Sequence, residues 1–260
     1  MVALAERSVE AGILSQEGRK PLWYEGEAFR ELLVLHTSFV FYGIGIPHGD
    51  ASPVITIPGF LNSDGHHFFL NSWLERVNYR TYASEIIMNR DLELNIKKVG
   101  GKAKRIYEHT GRKVHLIGHS LGAAIARGVG QEYLEYIESV IALGGPIDVD
   151  FEEAVDPFVL ALGKAIIPSF RNQEEFARIK EQLIQPLPRG VRSTYIYTKD
   201  DGVVDWRSCI DPDQRATNIE VSGTHMGLIW NQWVYKHIAH ILAGVPEKKL
   251  STSLSSGLAA

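Results

Sequence analysis

The sequence predicts an α/β fold in a single domain, built on a doubly wound, mostly parallel sheet. Short runs of β-branched and aliphatic residues alternate along the chain with longer segments whose apolar residues recur every three or four positions. Such alternation implies crossover connections, and crossover connections join parallel strands. The strand candidates are apolar on both faces, which is typical of a sheet covered by helices on each side.

The composition is that of a folded protein and excludes several functional classes. The 260 residues allow one large domain or two small ones, and 45% hydrophobic with 22% charged residues excludes a disordered or collagen-like chain. A formal net charge of −4 offers no cationic surface to a nucleic-acid backbone. The single cysteine, Cys209, excludes an intramolecular disulfide and a cysteine-based zinc site.

The two ends of the chain differ from its middle. Glu6 and Glu10 stand where a secretion signal has a basic start and an apolar run, so we expect a cytoplasmic chain, with secretion left open. No run approaches the about 18 apolar residues of a membrane span. We expect an N-terminal arm at 1–22, a folded domain at 23–246 and a flexible tail at 247–260.

The first half of the chain is divided by periodicity and by residues that stop each element. The predicted elements are a helix at 25–42, a strand at 54–57, a helix at 66–77, a strand at 79–84, a helix at 91–106 and a strand at 114–117. One face of the first helix comprises Phe29, Leu32, Leu33 and His36. Pro58-Gly59 ends the first strand, and Asp91 and Gly111 bound the longest helix.

The second half continues the alternation. The predicted elements are a helix from 121 to about 137, strands at 139–143, 194–198 and 218–222, and a closing helix at 229–243. The apolar stripe of the closing helix comprises Trp230, Trp233, Val234, Ile238, Ile241 and Leu242. Gly244 and Pro246 end this helix.

Residues 146–189 interrupt the alternation and are too long for a strand–helix loop. A first helical segment is apolar on nearly every face, and Lys164 is the only charge between Phe158 and Ile167. A second segment, at 172–185, is amphipathic through Phe176, Ile179 and Leu183. We interpret the pair as a cap inserted over the end of the sheet, because an all-apolar helix must be buried or must cover something.

The strongest chemical signal is the run Gly118-His119-Ser120-Leu121-Gly122. A G-x-S-x-G match is weak by itself, but here a strand leads into it and a helix leaves it, as a strained nucleophile turn requires. The glycines allow helix and strand to approach closely. We therefore predict Ser120 as a nucleophile.

A serine hydroxyl needs a base to remove its proton, and in this motif order an acid and then a histidine follow the serine. Asp201 comes directly after the strand at 194–198 and precedes a glycine, so it is the predicted acid; Asp200 and Asp205 are its competitors. His225 lies between glycines in the loop after the last strand and is the predicted base.

The other histidines are predicted to be packed or on the surface. His66 and His67 are adjacent, which places them on different sides of a helix, so the pair does not favour a metal site. His119 is expected to point away from the site because it is the neighbour of Ser120 in sequence. No metal and no organic cofactor is expected.

An oxyanion hole requires two backbone N–H groups. Leu121 supplies the first because it follows the nucleophile, and Phe60, in the Pro58-Gly59 turn, is the predicted second donor. Leu61, Trp206 and Met226 flank these motifs and are candidates to line a substrate pocket, with core packing as the alternative.

Taken together, the segments VITIPGF, VHLIGHSLGA, DGVVDW and SGTHMGL make the chain similar to the α/β-hydrolase superfamily. The motifs fall in order over residues 53–243, and the last two resemble a lipase-like carboxylesterase group with Pro-Gly in place of the commoner His-Gly. The resemblance implies Ser120, Asp201 and His225 as the triad, Phe60 and Leu121 as the oxyanion pair, and a cap after the strand at 139–143.

These observations predict a serine hydrolase of carboxylic esters with a hydrophobic acyl or alcohol part. An acyltransferase, or a hydrolase of thioesters, lactones, amides or polyesters, would use the same triad and remains an alternative. The expected partner is a small-molecule or lipid ester, with transient contact to a lipid interface and no nucleic acid. A non-catalytic binding module is disfavoured because all parts of the machinery are present.

Overall fold

The computed structural model describes residues 19–89, 91–147, 151–167 and 173–245. The tail predicted at 247–260 and nearly all of the arm predicted at 1–22 lie outside these residues, as does the side chain of Phe176. The described strands are β1 (Pro53–Ile57), β2 (Arg80–Ala83), β3 (Val114–His119), β4 (Ile137–Leu143), β5 (Arg192–Tyr197) and β6 (Thr217–Glu220). They form one six-stranded sheet in the order β2-β1-β3-β4-β5-β6.

Every pair of neighbouring strands in this sheet is parallel, so the predicted fold class is confirmed. The described α-helices are α1 (Ala28–Thr37), α2 (Phe68–Arg76), α3 (Leu92–Thr110), α4 (Leu121–Glu132), α5 (Phe151–Ala154), α6 (Pro157–Ile166), α7 (Gln173–Ile184) and α8 (Gln232–Ala243). Within the described ranges, no helix is both long enough and apolar enough to cross a bilayer.

Two hydrophobic clusters cover the two faces of the sheet. Successive residues of one strand point to opposite faces, so Leu116 joins the cluster with α3 and α4, and Ile117 joins the cluster with α2 and α8. Val140 and Ile141 divide in the same way. This double burial explains why the central strands β1, β3 and β4 are buried at nearly every position, whereas β2 and β6 at the edges are more exposed.

The helix predicted over 25–42 is wrong in its extent. The structure has a 3-10 helix at Leu22–Glu27, then α1, then a second 3-10 helix at Phe39–Tyr42. Ser38 breaks the segment because it is extended, with ψ 145°, and its hydroxyl accepts the N–H of Phe41. Two residues of the predicted apolar face, Phe29 and Leu33, are exposed, at 76% and 69%.

The closing helix starts later than predicted. Asn231 accepts the backbone N–H of Trp233 and caps α8, which therefore begins at Gln232. Trp230 belongs to the preceding 3-10 helix at Met226–Trp230. Trp233, predicted in the apolar stripe, is 52% exposed. The predicted stop is confirmed, since Gly244 follows the helix with φ 65°.

Candidate active site

Ser120 occupies a strained turn between β3 and α4. Its φ of 54° and ψ of −122° lie outside the regions that residues with side chains ordinarily adopt. The turn is held because the Ser120 backbone N–H donates to the Leu143 carbonyl at 2.8 Å. Since the backbone is fixed by the neighbouring strand β4, the side chain of Ser120 is held at the carboxyl edge of the sheet.

The glycines on either side of Ser120 are required by close packing. A Cβ on Gly122 would lie 2.1 Å from the carbonyl oxygen of Ile57, and one on Gly118 would lie 2.2 Å from the carbonyl oxygen of Gly122. Both contacts are to backbone, which cannot move aside cheaply. The absence of side chains therefore lets α4 approach β1 and β3, as the sequence predicts.

Asp201 and His225 meet in a buried hydrogen bond. Nδ1 of His225 lies 2.7 Å from Oδ2 of Asp201, and the two residues are 2% and 1% exposed. The other carboxylate oxygen of Asp201 accepts the backbone N–H groups of Val203 and Val204, at 2.8 and 2.7 Å. The aspartate is thus held by its own turn while it faces the histidine.

The two competing aspartates do not face His225 in this way. Asp200 is partly exposed and pairs with Lys20 at 3.6 Å. Asp205 accepts the backbone N–H of Arg207 and starts the 3-10 helix at Trp206–Cys209. The structure therefore brings Asp201, of the three, to the predicted base.

The contact with Asp201 fixes the tautomer of His225. A carboxylate only accepts hydrogen bonds, so Nδ1 carries the ring hydrogen and Nε2 keeps a lone pair. Burial lowers the pKa of His225, but the attraction and hydrogen bond of Asp201 outweigh burial, with a further contribution from Glu25. The resulting pKa is above the ordinary value for histidine, which favours the imidazole as a proton acceptor.

Two glutamates from the N-terminal segment, which were not predicted, accept hydrogen bonds from the loops that carry Asp201 and His225. Glu25 accepts the backbone N–H groups of Gly202, His225 and Met226 at 2.8, 3.2 and 2.8 Å. Glu31, on α1, accepts the N–H of Thr224 at 2.8 Å. Burial raises the pKa of the Glu31 carboxyl. No local motif signals these contacts, because they join residues 177 to 201 positions apart in the case of Glu25.

The predicted oxyanion loop is organised by Asn89, which is fully buried. Its side-chain Nδ2 donates to the Pro58 carbonyl at 2.6 Å, and its backbone carbonyl accepts the N–H of Leu61 at 3.0 Å. Leu61 has a φ of 56°, so the turn after β1 is tightly bent. Leu121 is the first residue of α4, where N–H groups lack an intrahelical acceptor.

A narrow apolar cavity opens beside Ser120, with about 60 Å³ of free volume. The described residues that line it are Phe60, Ser120, Leu121, Pro146, Val155, Val159, Leu160, Gly163, Ile167, Val203 and Val204. Leu61, Trp206 and Met226 are not among these lining residues. Trp206 instead stacks on Tyr197, with ring centroids 5.8 Å apart.

Helix α6, from the predicted cap segment, lies over this cavity. Val159, Leu160 and Gly163 face the cavity, whereas Phe158 is 70% exposed. The segment before α6 is joined to the loop of the predicted acid, because Val155 and Val204 form an antiparallel bridge. One apolar face of α6 therefore lines the cavity, and the other apolar face is exposed to solvent.

Three histidines cluster next to the site, contrary to two expectations. His66 and His67 lie in a 3-10 helix (Asp64–His67) and their rings stack with centroids 6.0 Å apart, so adjacency does not separate them. His119 does not point away: its Nε2 bonds the His225 carbonyl oxygen at 2.9 Å. A ring nitrogen from each of the three lies within 4.8 Å of the others.

The fold is similar to those of solved lipases and esterases. A metagenomic carboxyl esterase matches with a TM-score of 0.57 at 15% identity, over 76% of this chain and 77% of that one. A monoacylglycerol lipase of Paleococcus ferrophilus matches with a TM-score of 0.54 at 14% identity, over 76% of this chain and 96% of the lipase. A carboxylesterase of Bacillus subtilis matches with a TM-score of 0.53 at 13% identity, over 85% of this chain and 100% of the esterase.

The chain therefore has the α/β-hydrolase fold, and the resemblance seen in its sequence motifs is confirmed at the level of the fold. No protein-family profile matches the sequence, and no curated protein matches it. Sequence identities of 13–17% carry the fold and leave the chemistry to be argued from the site.

Proposed function

We propose that this protein is a serine hydrolase of carboxylic esters that have a hydrophobic acyl or alcohol part. Two observations carry the proposal: the buried Asp201–His225 hydrogen bond, and a serine held in a strained strand-to-helix turn. Strain at a residue persists only where the surroundings impose it, and it concentrates at functional sites. The apolar cavity at Ser120 supports an apolar substrate.

In the proposed reaction, Ser120 Oγ attacks the ester carbonyl carbon while His225 Nε2 takes its proton. Asp201 stabilises the imidazolium that forms. The N–H groups of Phe60 and Leu121 donate to the oxyanion of the tetrahedral intermediate, and losing one such donor typically costs about 100–1,000-fold in rate. The alcohol then leaves with the proton from His225, and an acyl-enzyme remains.

Water completes the cycle by the same groups. His225 takes a proton from water as the water oxygen attacks the acyl carbonyl. His225 then returns this proton to Ser120 Oγ as the bond between Oγ and the acyl carbon breaks, and the carboxylic acid leaves. The cavity volume of about 60 Å³ is smaller than the roughly 300–1,000 Å³ of typical ligand pockets. A long acyl chain therefore requires α6 to move, and the exposed Phe158 would meet a lipid surface when it does.

The proposal is tested with p-nitrophenyl esters from acetyl to palmitoyl, comparing the parent chain with Ser120→Ala. We expect ester cleavage by the parent and its loss in the variant, with the best chain length reporting the size of the cavity. A matched control is Ser208→Ala, on a partly buried serine outside the cavity, which should leave cleavage unchanged.

Two results would contradict the proposal. Equal cleavage by the parent and Ser120→Ala would exclude Ser120 as the nucleophile. A parent chain that neither cleaves any ester nor reacts with a fluorophosphonate probe would exclude an activated serine, because the probe labels such a serine regardless of which substrate it prefers.

A further inference from the structure

The three clustered histidines have the features of a metal site. Among the described residues, four of their ring nitrogens are buried and have no hydrogen-bond partner: Nδ1 of His66, both nitrogens of His67 and Nδ1 of His119. Buried polar atoms are normally paired, because an unpaired one has lost its contact with water without replacement. Such a concentration of unpaired ring nitrogens in one place calls for a partner that binds their lone pairs.

The orientation of His119 is also that of a metal-binding histidine. Its Nε2 lies 2.9 Å from the carbonyl oxygen of His225, and a carbonyl only accepts, so Nε2 carries the ring hydrogen. Nδ1 therefore keeps a lone pair, and this buried atom has no hydrogen-bond partner among the described residues. A histidine that binds a metal usually donates its other ring N–H to a carbonyl or carboxylate in this manner.

The other two rings complete the set. His67 is 1% exposed, and neither of its ring nitrogens has a hydrogen-bond partner among the described residues, so one of them has a lone pair to offer. His66 is half-buried, and its buried Nδ1 has no hydrogen-bond partner among the described residues. The ring centroids of His66 and His67 lie 6.2 and 6.4 Å from that of His119.

We propose that His66, His67 and His119 bind one divalent cation of the zinc type through three neutral imidazoles. Nitrogens of a tetrahedral zinc site lie about 2.0–2.1 Å from the metal and hence about 3.4 Å apart, so the present spacing of up to 4.8 Å closes with small ring rotations. Water occupies the fourth position. Imidazole ligands favour zinc, cobalt, nickel or copper over magnesium or calcium.

Such a cation would brace the candidate active site without taking part in ester cleavage. It would join the 3-10 helix that follows the oxyanion loop to the end of β3, next to Ser120. Through His119 it would also hold the carbonyl of His225. The site is independent of the proposed hydrolase activity, so either proposal can fail without the other.

The test uses tag-free protein treated with a chelator and then titrated with Co²⁺. We expect visible d–d absorption of a tetrahedral nitrogen-ligated ion that saturates at one Co²⁺ per chain and is displaced by Zn²⁺. Zn²⁺ at about a hundredfold excess over its Kd should raise the unfolding midpoint by about 5–10 °C. A parent chain that shows neither the absorption nor the shift would overturn the proposal.

Variants identify the ligands. His67→Gln should weaken Co²⁺ binding at least tenfold. His66→Gln should do the same and perturb packing less, because His66 is only half-buried. The matched control is His115→Gln, which also removes a buried imidazole from the sheet region, but one whose Nδ1 already bonds Ser139 at 2.7 Å. Binding that is unchanged in His66→Gln, or weakened equally in His115→Gln, would contradict the assigned ligands; circular dichroism confirms that each variant is folded.

Discussion

The carboxylate of Glu25 accepts the backbone N–H of His225 at 3.2 Å. The same carboxylate accepts the N–H groups of Gly202 and Met226, each at 2.8 Å. Since Gly202 directly follows Asp201, one side chain from the N-terminal 3-10 helix holds both the loop of the proposed acid and the loop of the proposed base. The alignment of acid and base therefore depends on a segment far from both in sequence.

Glu25→Gln should lower kcat about tenfold with a smaller effect on KM. The amide keeps one acceptor oxygen but turns an NH₂ group toward backbone N–H donors, and a hydrogen bond to a charged group is worth about 1.5–3 kcal/mol. Steady-state kinetics on a p-nitrophenyl ester measures the change. Glu27→Gln is the control, because Glu27 pairs with exposed Arg30. An equal loss in both variants would assign the effect to surface charge.

Asp201→Asn should lower kcat by about 10⁴, because asparagine can hold His225 in the wrong tautomer. Binding of substrate should be little affected, since the residue lies behind the histidine. Asp200→Asn, on the neighbouring partly exposed carboxylate, should leave kcat nearly unchanged. The assignment of the acid would be wrong if Asp200→Asn were the more damaging variant.

Gly122→Ala should destabilise the fold, because its Cβ would lie 2.1 Å from the Ile57 carbonyl oxygen. Overpacking of this kind costs about 1–3 kcal/mol or more. Gly101→Ala is the matched control within helix α3, where the nearest atom is 3.7 Å away, and it should stabilise by about 0.5–1 kcal/mol. Urea unfolding measures both free energies, and shifts of the same sign would contradict the packing argument.

Leu160→Ala should move the preferred acyl chain toward longer esters, because Leu160 lines the cavity at Ser120 and its truncation enlarges the narrow space. Phe158→Ala, on the same helix α6 but 70% exposed, should leave the chain-length preference in aqueous solution unchanged. Relative kcat/KM values over the p-nitrophenyl series measure the effect. An identical profile for the parent and Leu160→Ala would show that substrates do not occupy this cavity.

Much of the fold could be predicted from the sequence because its signals are local. The strand at 114–117 and the strand at 139–143 were found from apolar runs, and the structure extends them to β3 and β4. The helix at 91–106 was found from its period and from Asp91, whose side chain accepts the N–H of Leu94 in the structure. The predicted helix boundaries are wrong where a single capping side chain sets them, as at Ser38 and Asn231.

The orientations of His66, His67 and His119 could not be predicted from the sequence. Adjacent residues on a regular helix diverge, so His66 and His67 were expected to face apart, but a 3-10 helix stacks their rings. His119 was expected to point away from the site, yet the strained turn at Ser120 directs it toward His225. Both outcomes depend on backbone geometry that is set by packing, and neither leaves a sequence pattern.

The sequence by itself determined the α/β class and the strand-to-helix turn at Ser120, and it predicted Asp201 and His225 as partners, since each follows from period, turn chemistry or chain order. Only the tertiary structure decided which side chains support these residues. Glu25, Asn89 and the histidine cluster come from separate segments that the parallel sheet brings to one edge. Their contacts span from about 30 to 200 positions, and such long-range pairing arises from packing of the whole chain, which no local pattern records.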